Sequence, residues 1–278
     1  MQRVTSINEL AEALEVAKRE DLKVAFVPTM GALHKGHLSL INEARKHTPF
    51  VVVSIFVNPL QFGAGEDFEK YPRTIEEDAT KLEEIGVSVL FTPTVNDLYR
   101  GNMNVTEHAG PIGALYEGAA RPDHFDGMLT VVARLFDAVK PDFAVFGQKD
   151  AQQVFLVKQL VKQKYSNLQI VVAPTIRETN GLALSSRNQF LDEAGLKVAQ
   201  TLSAALEAAH NSASSPTAAV EAARNTMLST PEAKLDYIAL VEADTFEAVT
   251  DGFTGRAILL IAAVVGETRL IDNIEITF

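Results

Sequence analysis

Short, almost continuously apolar runs alternate along the first two-thirds of this chain with segments whose apolar residues recur at helical spacing, and few folds accept that pattern. The runs are Lys23–Val27, Val51–Val57, Val87–Phe91, Asp142–Phe146 and Leu168–Val172. Their lack of polar alternation predicts strands buried on both faces, as in a parallel sheet. Between them, Ile75, Ala79, Leu82 and Ile85 form one helical stripe, and Val132, Leu135, Phe136 and Val139 form another. Parallel strands joined by right-handed helical crossovers make a doubly wound, Rossmann-like α/β domain, whose ligands sit at the carboxyl ends of the strands. No internal repeat of solenoid or propeller type competes with this pattern.

After about Pro174 the pattern changes. A helix is predicted from Glu193 to His210, followed by a loop at Ser212–Pro216, a second Ala-rich helix, and strands at Tyr237–Glu242 and Ala257–Val265. At ~150 residues per domain the 278 residues predict about two domains. The expected division is a Rossmann-like domain over 1–175 and a smaller α+β domain over 176–278. The Ser/Pro loop is internal to the second, since neither side of it is long enough for a core.

Lys and Arg number 25 against 36 Asp and Glu, a net charge of −11. No general basic surface is available for nucleic acid, so an anionic ligand needs a local positive site. The absence of cysteine excludes disulfides, thiolate metal sites and thiol nucleophiles. The opening Met1–Ser6 lacks a secretory apolar run, and the longest apolar run, Ala257–Val265, is too short to cross a bilayer. The expectation is a cytoplasmic protein with neither membrane nor nucleic acid as partner.

The first strand runs into Pro28-Thr29-Met30-Gly31-Ala32-Leu33-His34-Lys35-Gly36-His37, and Leu38, Ile41 and Ala44 then share a helical face. A helix starting near Gly36 would offer free N–H groups and a positive dipole end to an anion above a strand end. Gly31 and Gly36 permit close backbone approach, while His34 and His37 fall on the same side of the first turn. Two histidines so placed can also be surface residues or a metal pair. Zinc needs a third ligand, however, and the remaining histidines, at 47, 108, 124 and 210, have no supporting spacing. Strand, glycine turn, His-x-Gly-His and helix together suit a triphosphate, with protonated imidazoles donating to phosphate oxygens. Both histidines are then expected to become more cationic once nucleotide binds, because several phosphate charges outweigh the ~0.3–1 kcal/mol opposition of the helix dipole.

Other segments carry weaker signals. Asn58-Pro59 ends the second strand and puts Gln61 on a loop at its carboxyl end, where an amide suits a hydroxy acid or is simply solvated. Gly147-Gln148-Lys149-Asp150 ends the fourth strand, and Lys149 there is either a mobile charge for phosphates or an ordinary surface lysine. Leu184-Ser185-Ser186-Arg187 offers two hydroxyls and a guanidinium fork to phosphate oxygens, although either serine can also cap a helix. Glu76-Glu77-Asp78 looks like a solvated helix N-terminus, and Gly63–Asp67 looks like a closing lid. His124 reads as structural, near a helix start capped by Asp126.

The segment Val27–His37 closely resembles the opening motif of the pantothenate synthetase family, part of the His-x-Gly-His nucleotidyltransferase superfamily that includes class I aminoacyl-tRNA synthetases. Further blocks agree in order and spacing: Ser54–Phe62, Asp67 with Tyr71–Thr74, Phe146–Gln153 and Gly181–Asn188, with the resemblance reaching Arg269–Asn273. It implies condensation of pantoate with β-alanine through a pantoyl-adenylate, driven by ATP cleavage to AMP and pyrophosphate. It implies that His34, His37 and Lys149 are catalytic, with Met30, Gly31, Gly36, Gly147 and Asp150 as further ATP contacts. Leu184, Ser185, Ser186 and Arg187 resemble the mobile signature loop of class I synthetases and are implied to bind ATP as well. Gln61 and Gln153 are implied to hold pantoate or β-alanine, and Asp78 to lie near the magnesium of the nucleotide. A homodimer is implied, with nucleotide and pantoate on the first domain and the second covering the active site. Many family members carry Glu where this chain has Gln148, a change that removes a charge and leaves Lys149 and Asp150 in place. Two other functions fit the motif: a nucleotidyltransferase that stops at a nucleotidylated product, and a nucleotide-sensing module. Gln61 and Gln153, with Met30 and Phe62, favour the ligase.

Overall fold

In a computed structural model, which describes residues 1–63 and 68–278, every run read as a strand forms one. They are β2 (Ala25–Thr29), β3 (Val51–Ile55), β4 (Val89–Phe91), β5 (Phe143–Gly147) and β6 (Gln169–Ala173). One more, β1 (Gln2–Val4), pairs with β4, so the sheet has order β1-β4-β3-β2-β5-β6 with every pair parallel. The three residues of β1, two of them exposed, are too short and polar to register as periodicity. From β2 the chain builds outward through β3 on one side and β5 on the other. The strand order therefore reverses at β2, where a doubly wound sheet opens a crevice, and β2 is the strand that runs into the two histidines.

The helices of this part are α1 (Ile7–Arg19), α2 (Lys35–Arg45), α3 (Ile75–Glu84), α4 (Val95–Tyr99), α5 (Glu117–Ala120), α6 (His124–Val139) and α7 (Ala151–Lys164). A Ser6–Glu9 capping box starts α1. Along α6 the stripe read from sequence broadens, because Phe125, Met128, Leu129, Leu135 and Phe136 are all buried. Each such side chain contributes ~1.5–3 kcal/mol by leaving water. Asp126 does not cap this helix. Its N-cap is Asp123 in a left-handed conformation, while the Asp126 carboxylate accepts from the Ala109 N–H and meets His108 Nδ1, both at 2.8 Å.

The remaining elements are α8 (Glu193–Asn211), α9 (Pro216–Leu228) and an antiparallel sheet of β7 (Ala233–Glu242), β8 (Arg256–Val265) and β9 (Thr268–Thr277). Ser215 caps α9 and Pro216 occupies its first turn, which accounts for the Ser/Pro loop. Leu202, Ala205 and Leu206 of α8 share one core with Leu259 and Ile261 of β8.

The chain forms two compact units, Met1–Gly147 with Leu156–Ala173, and Gln148–Phe155 with Pro174–Phe278. Residues 148–155 were expected in the first domain. They belong to the second unit because Asn273 holds the backbone of Gln148 and Lys149, and because the ring of Phe155 stacks on Phe246 with centroids 4.9 Å apart. Among the described residues no helix is long and apolar enough to cross a membrane.

Candidate active site

In the first unit the chain leaves β2 through a turn that only a small residue can make. Gly31 has φ +88°, and a Cβ there would lie 3.0 Å from Ile55 Cγ2 and 3.2 Å from Asp78 Oδ2. Ala32 follows with φ +51°, also left-handed. The turn is held by Asp78, which is fully buried on α3. Its carboxylate accepts from the N–H groups of Ala32 at 2.9 Å and Leu33 at 2.8 Å, and from the Thr74 hydroxyl at 3.1 Å. Lys81 Nζ lies 3.9 Å away. The magnesium role implied for Asp78 finds no support in this placement: both oxygens serve backbone donors, and a cation already stands beside them. Asp78 shapes the turn instead.

His34 is the N-cap of α2. Its Nδ1 accepts from the Gly36 N–H at 3.1 Å, while its own backbone N–H donates to His37 Nδ1 at 3.3 Å. The rings lie 4.1 Å apart. One expectation is corrected here. The helix end is not an open set of N–H groups, since Gly36 donates to His34 Nδ1 and His37 N–H to the His34 carbonyl. With Nδ1 accepting, a neutral ring bears its proton on Nε2. The imidazoles thus take up helix-end donors through Nδ1.

Gln61 closes a 3-10 turn, Pro59–Gln61, capped by Asn58. Its side chain is buried, with Nε2 directed to Met30 Sδ at 3.2 Å and Oε1 accepting from Asn58 Nδ2 at 3.2 Å. Asn58 Oδ1 accepts from the Tyr99 hydroxyl at 2.6 Å. Burial pushes the Tyr99 hydroxyl well above its ordinary pKa, so it stays a donor. His124 is buried, its Nδ1 2.8 Å from the Gln61 carbonyl oxygen, and Arg121 also donates to that oxygen at 3.4 Å. The structural role read for His124 is thereby specified. Asn58, Tyr99 and Arg121 were not picked out as site residues; Asn58 was visible only as a strand terminator.

The second unit carries the other set. Lys149 lies in a 3-10 turn after β5, its side chain 20% exposed and Nζ 4.0 Å from Asp150. Gln153 is half-buried in the first turn of α7. Ile176–Leu184 folds as a hairpin with Gly181 at φ +88°. It leads into Ser185, whose Oγ accepts from the Arg187 N–H at 3.2 Å. Ser185 is therefore the cap, and its hydroxyl proton is still available to a phosphate. Lys149 and Ser185 line one small cavity together with Asn188 and Asp272. The buried Asn188 Oδ1 in that lining has no hydrogen-bond partner. Of the stretch expected to form a lid, Ala64–Asp67 lies outside the described residues.

Comparison with known proteins agrees along the whole chain. The pantoate-beta-alanine ligase family profile matches residues 2–275. A pantothenate synthetase from Nocardia farcinica is 48% identical over 272 residues, covering 98% of this chain and 84% of that protein. One from Thermobifida fusca is 47% identical over 282 residues, covering 98% and 95%. Among solved structures, pantothenate synthetase from Thermus thermophilus superposes with a TM-score of 0.92 at 43% identity, covering 100% of both chains. Pantoate-beta-alanine ligase from Francisella tularensis, complexed with beta-gamma ATP and beta-alanine, superposes with a TM-score of 0.79 at 37% identity, covering 99% and 97%.

Proposed function

We propose a reaction route from one premise: this chain belongs to the pantoate-beta-alanine ligase family. It condenses pantoate with β-alanine to pantothenate at the expense of ATP. ATP is needed because a carboxylate resists attack by an amine when oxide would have to leave. One carboxylate oxygen of pantoate attacks the α-phosphorus, and the bond from phosphorus to the pyrophosphate oxygen breaks. The β-alanine amine then attacks the acyl carbon of the pantoyl-adenylate, and AMP leaves with the original carboxylate oxygen while the amine proton passes to solvent.

The observation that carries the assignment is the pair of capping imidazoles. With Nδ1 of each committed to a backbone N–H, the Nε2–H groups of His34 and His37 are preorganised donors for charge growing on the departing pyrophosphate. Met30, Gly31 and Gly36 are assigned to ATP as further contacts. Lys149, Asp150, Ser185, Ser186 and Arg187 are assigned to ATP, with Gly147 and Leu184 as the backbone flanking those two groups. Gln61 orients the pantoate carboxylate or hydroxyl, and Gln153 is assigned to the acid substrates as well. Magnesium enters with the ATP phosphates, which it prefers to share with water and few carboxylates. Asp78 does not fit as its ligand, and the described residues hold no cluster of three or more His, Asp or Glu that could cage a metal. We place the reaction in the cytoplasm, and the enzyme in a homodimer, as the family resemblance implies.

An ¹⁸O label in the pantoate carboxylate is expected to appear in AMP, and pantoate without β-alanine should support exchange of pyrophosphate into ATP. Label in inorganic phosphate, with ADP formed, would instead mean an acyl-phosphate route and would remove the histidine site as an adenylation centre.

The packing of α6 gives a second test. A Cβ on Gly127 would lie 2.1 Å from the Leu60 carbonyl oxygen and 2.9 Å from Gln61 N, and both obstacles are backbone. Gly127→Ala must therefore displace the turn that presents Gln61. It is expected to raise the KM for pantoate ~10-fold or more, with ~1–3 kcal/mol of stability lost. Steady-state kinetics and urea unfolding measure both, and kinetics unchanged from wild type would show that α6 does not set Gln61.

A further inference from the structure

Two adjacent residues of β9, Asp272 and Asn273, are polar and only 4% exposed each, and the route above gives neither a task. Buried polar groups persist where their hydrogen bonds are made. Asn273 Nδ2 donates to the carbonyl oxygens of Gln148 at 2.9 Å and Lys149 at 2.8 Å. Gln148 Nε2 donates to Asn273 Oδ1 at 3.3 Å, so the amide is oriented from both ends. Asp272 takes the fork of Arg177 at 2.6 and 3.0 Å, and Arg177 also donates to the Gly181 carbonyl at 3.1 Å. Arg177 and Gly181 belong to the hairpin that leads into Ser185. One strand thus grips both backbone segments that carry phosphate ligands in the second unit.

Stability alone does not account for this. A buried ion pair gains little over well-packed apolar residues, because desolvation offsets its attraction. What the clamp does fix is the starting point of a long side chain. A lysine delivers its charge only where its Cα allows, and a displacement of about 1 Å at a reacting centre costs on the order of 10²-fold in rate. We propose that Asn273 is a positioning residue that sets Lys149 for contact with the triphosphate, with the Asp272–Arg177 pair fixing the Ser185 hairpin to the same strand. This inference rests on the assignment of Lys149 to ATP.

The test is a double-mutant cycle in the full chain: Asn273→Ala, Lys149→Ala and the double variant, read by pantoate-dependent pyrophosphate exchange and by melting temperature. Asn273→Ala should lower the exchange rate ~10- to 100-fold when Lys149 is present, and about twofold or less in the Lys149→Ala background. The KM for pantoate should stay within about twofold in every variant with Lys149. Equal losses in both backgrounds would mean a merely structural role and would overturn the proposal. If Asn273→Ala fails to fold, Gln148→Ala replaces it in the cycle. That variant removes only the bond orienting the Asn273 amide, and should give a smaller loss, ~3- to 10-fold, that again vanishes without Lys149; additive losses there overturn the proposal equally. Lys149→Ala with unimpaired exchange would instead defeat the assignment of Lys149 itself and the clamp with it.

Discussion

Replacing His37 with alanine is expected to lower pantoate-dependent exchange of pyrophosphate into ATP by ~10²–10³-fold, the range for removing one preorganised donor to developing charge. ATP affinity should fall far less, because the Nε2–H acts chiefly on charge that appears in the transition state. His34→Ala should lose activity to a similar degree and stability as well, since His34 also caps α2 and loss of a cap costs ~1 kcal/mol. The two tasks can be separated. Asparagine restores a side-chain acceptor for the Gly36 N–H but cannot reach outward with an Nε2–H, so His34→Asn should regain the stability and not the rate. Rapid-quench measurement of adenylate formation, with thermal unfolding alongside, reads both quantities. Wild-type-like turnover in any of these variants would remove that histidine from the mechanism.

Lys149→Ala is expected to be crippled to a similar extent, ~10²-fold or more, as an ion contact to the departing pyrophosphate is lost. Lys149→Arg should recover less than about a tenth of the lost rate. The lysine side chain is 20% exposed in a cavity lined by Ser185 and Asn188, a space for a compact ammonium, whereas a planar guanidinium makes its hydrogen bonds in a fixed fork. Single-turnover kinetics at saturating ATP distinguish the cases. Full rescue by arginine would show that net charge is all this position supplies.

The sheet was legible because its strands are almost continuously apolar, a pattern that burial on both faces imposes. β1 was hidden by its brevity and β9 by the polar pair at 272–273, which a buried strand tolerates only because distant partners satisfy it. The histidines could be located from Gly31 and Gly36, but not the ring nitrogen by which each meets the helix backbone. Asp78 misled for a related reason. An acid in the first turn of α3 looks solvated in sequence, yet its partners are backbone amides 45 and 46 residues away. Likewise Tyr99 meets Asn58 across 41 residues, and no local spacing announces that bond.

The clamp on Lys149 also orders events in time. Lys149 leaves the ribosome 124 residues ahead of the asparagine that holds its carbonyl. By then all the strands of the parallel sheet, ending at Ala173, have been made, and the histidine turn already has Asp78 to shape it. A nascent chain can therefore complete the sheet and present its imidazoles long before the lysine has a fixed anchor. If Lys149 meets ATP as proposed, competence for adenylation would arrive only once β9 has been made.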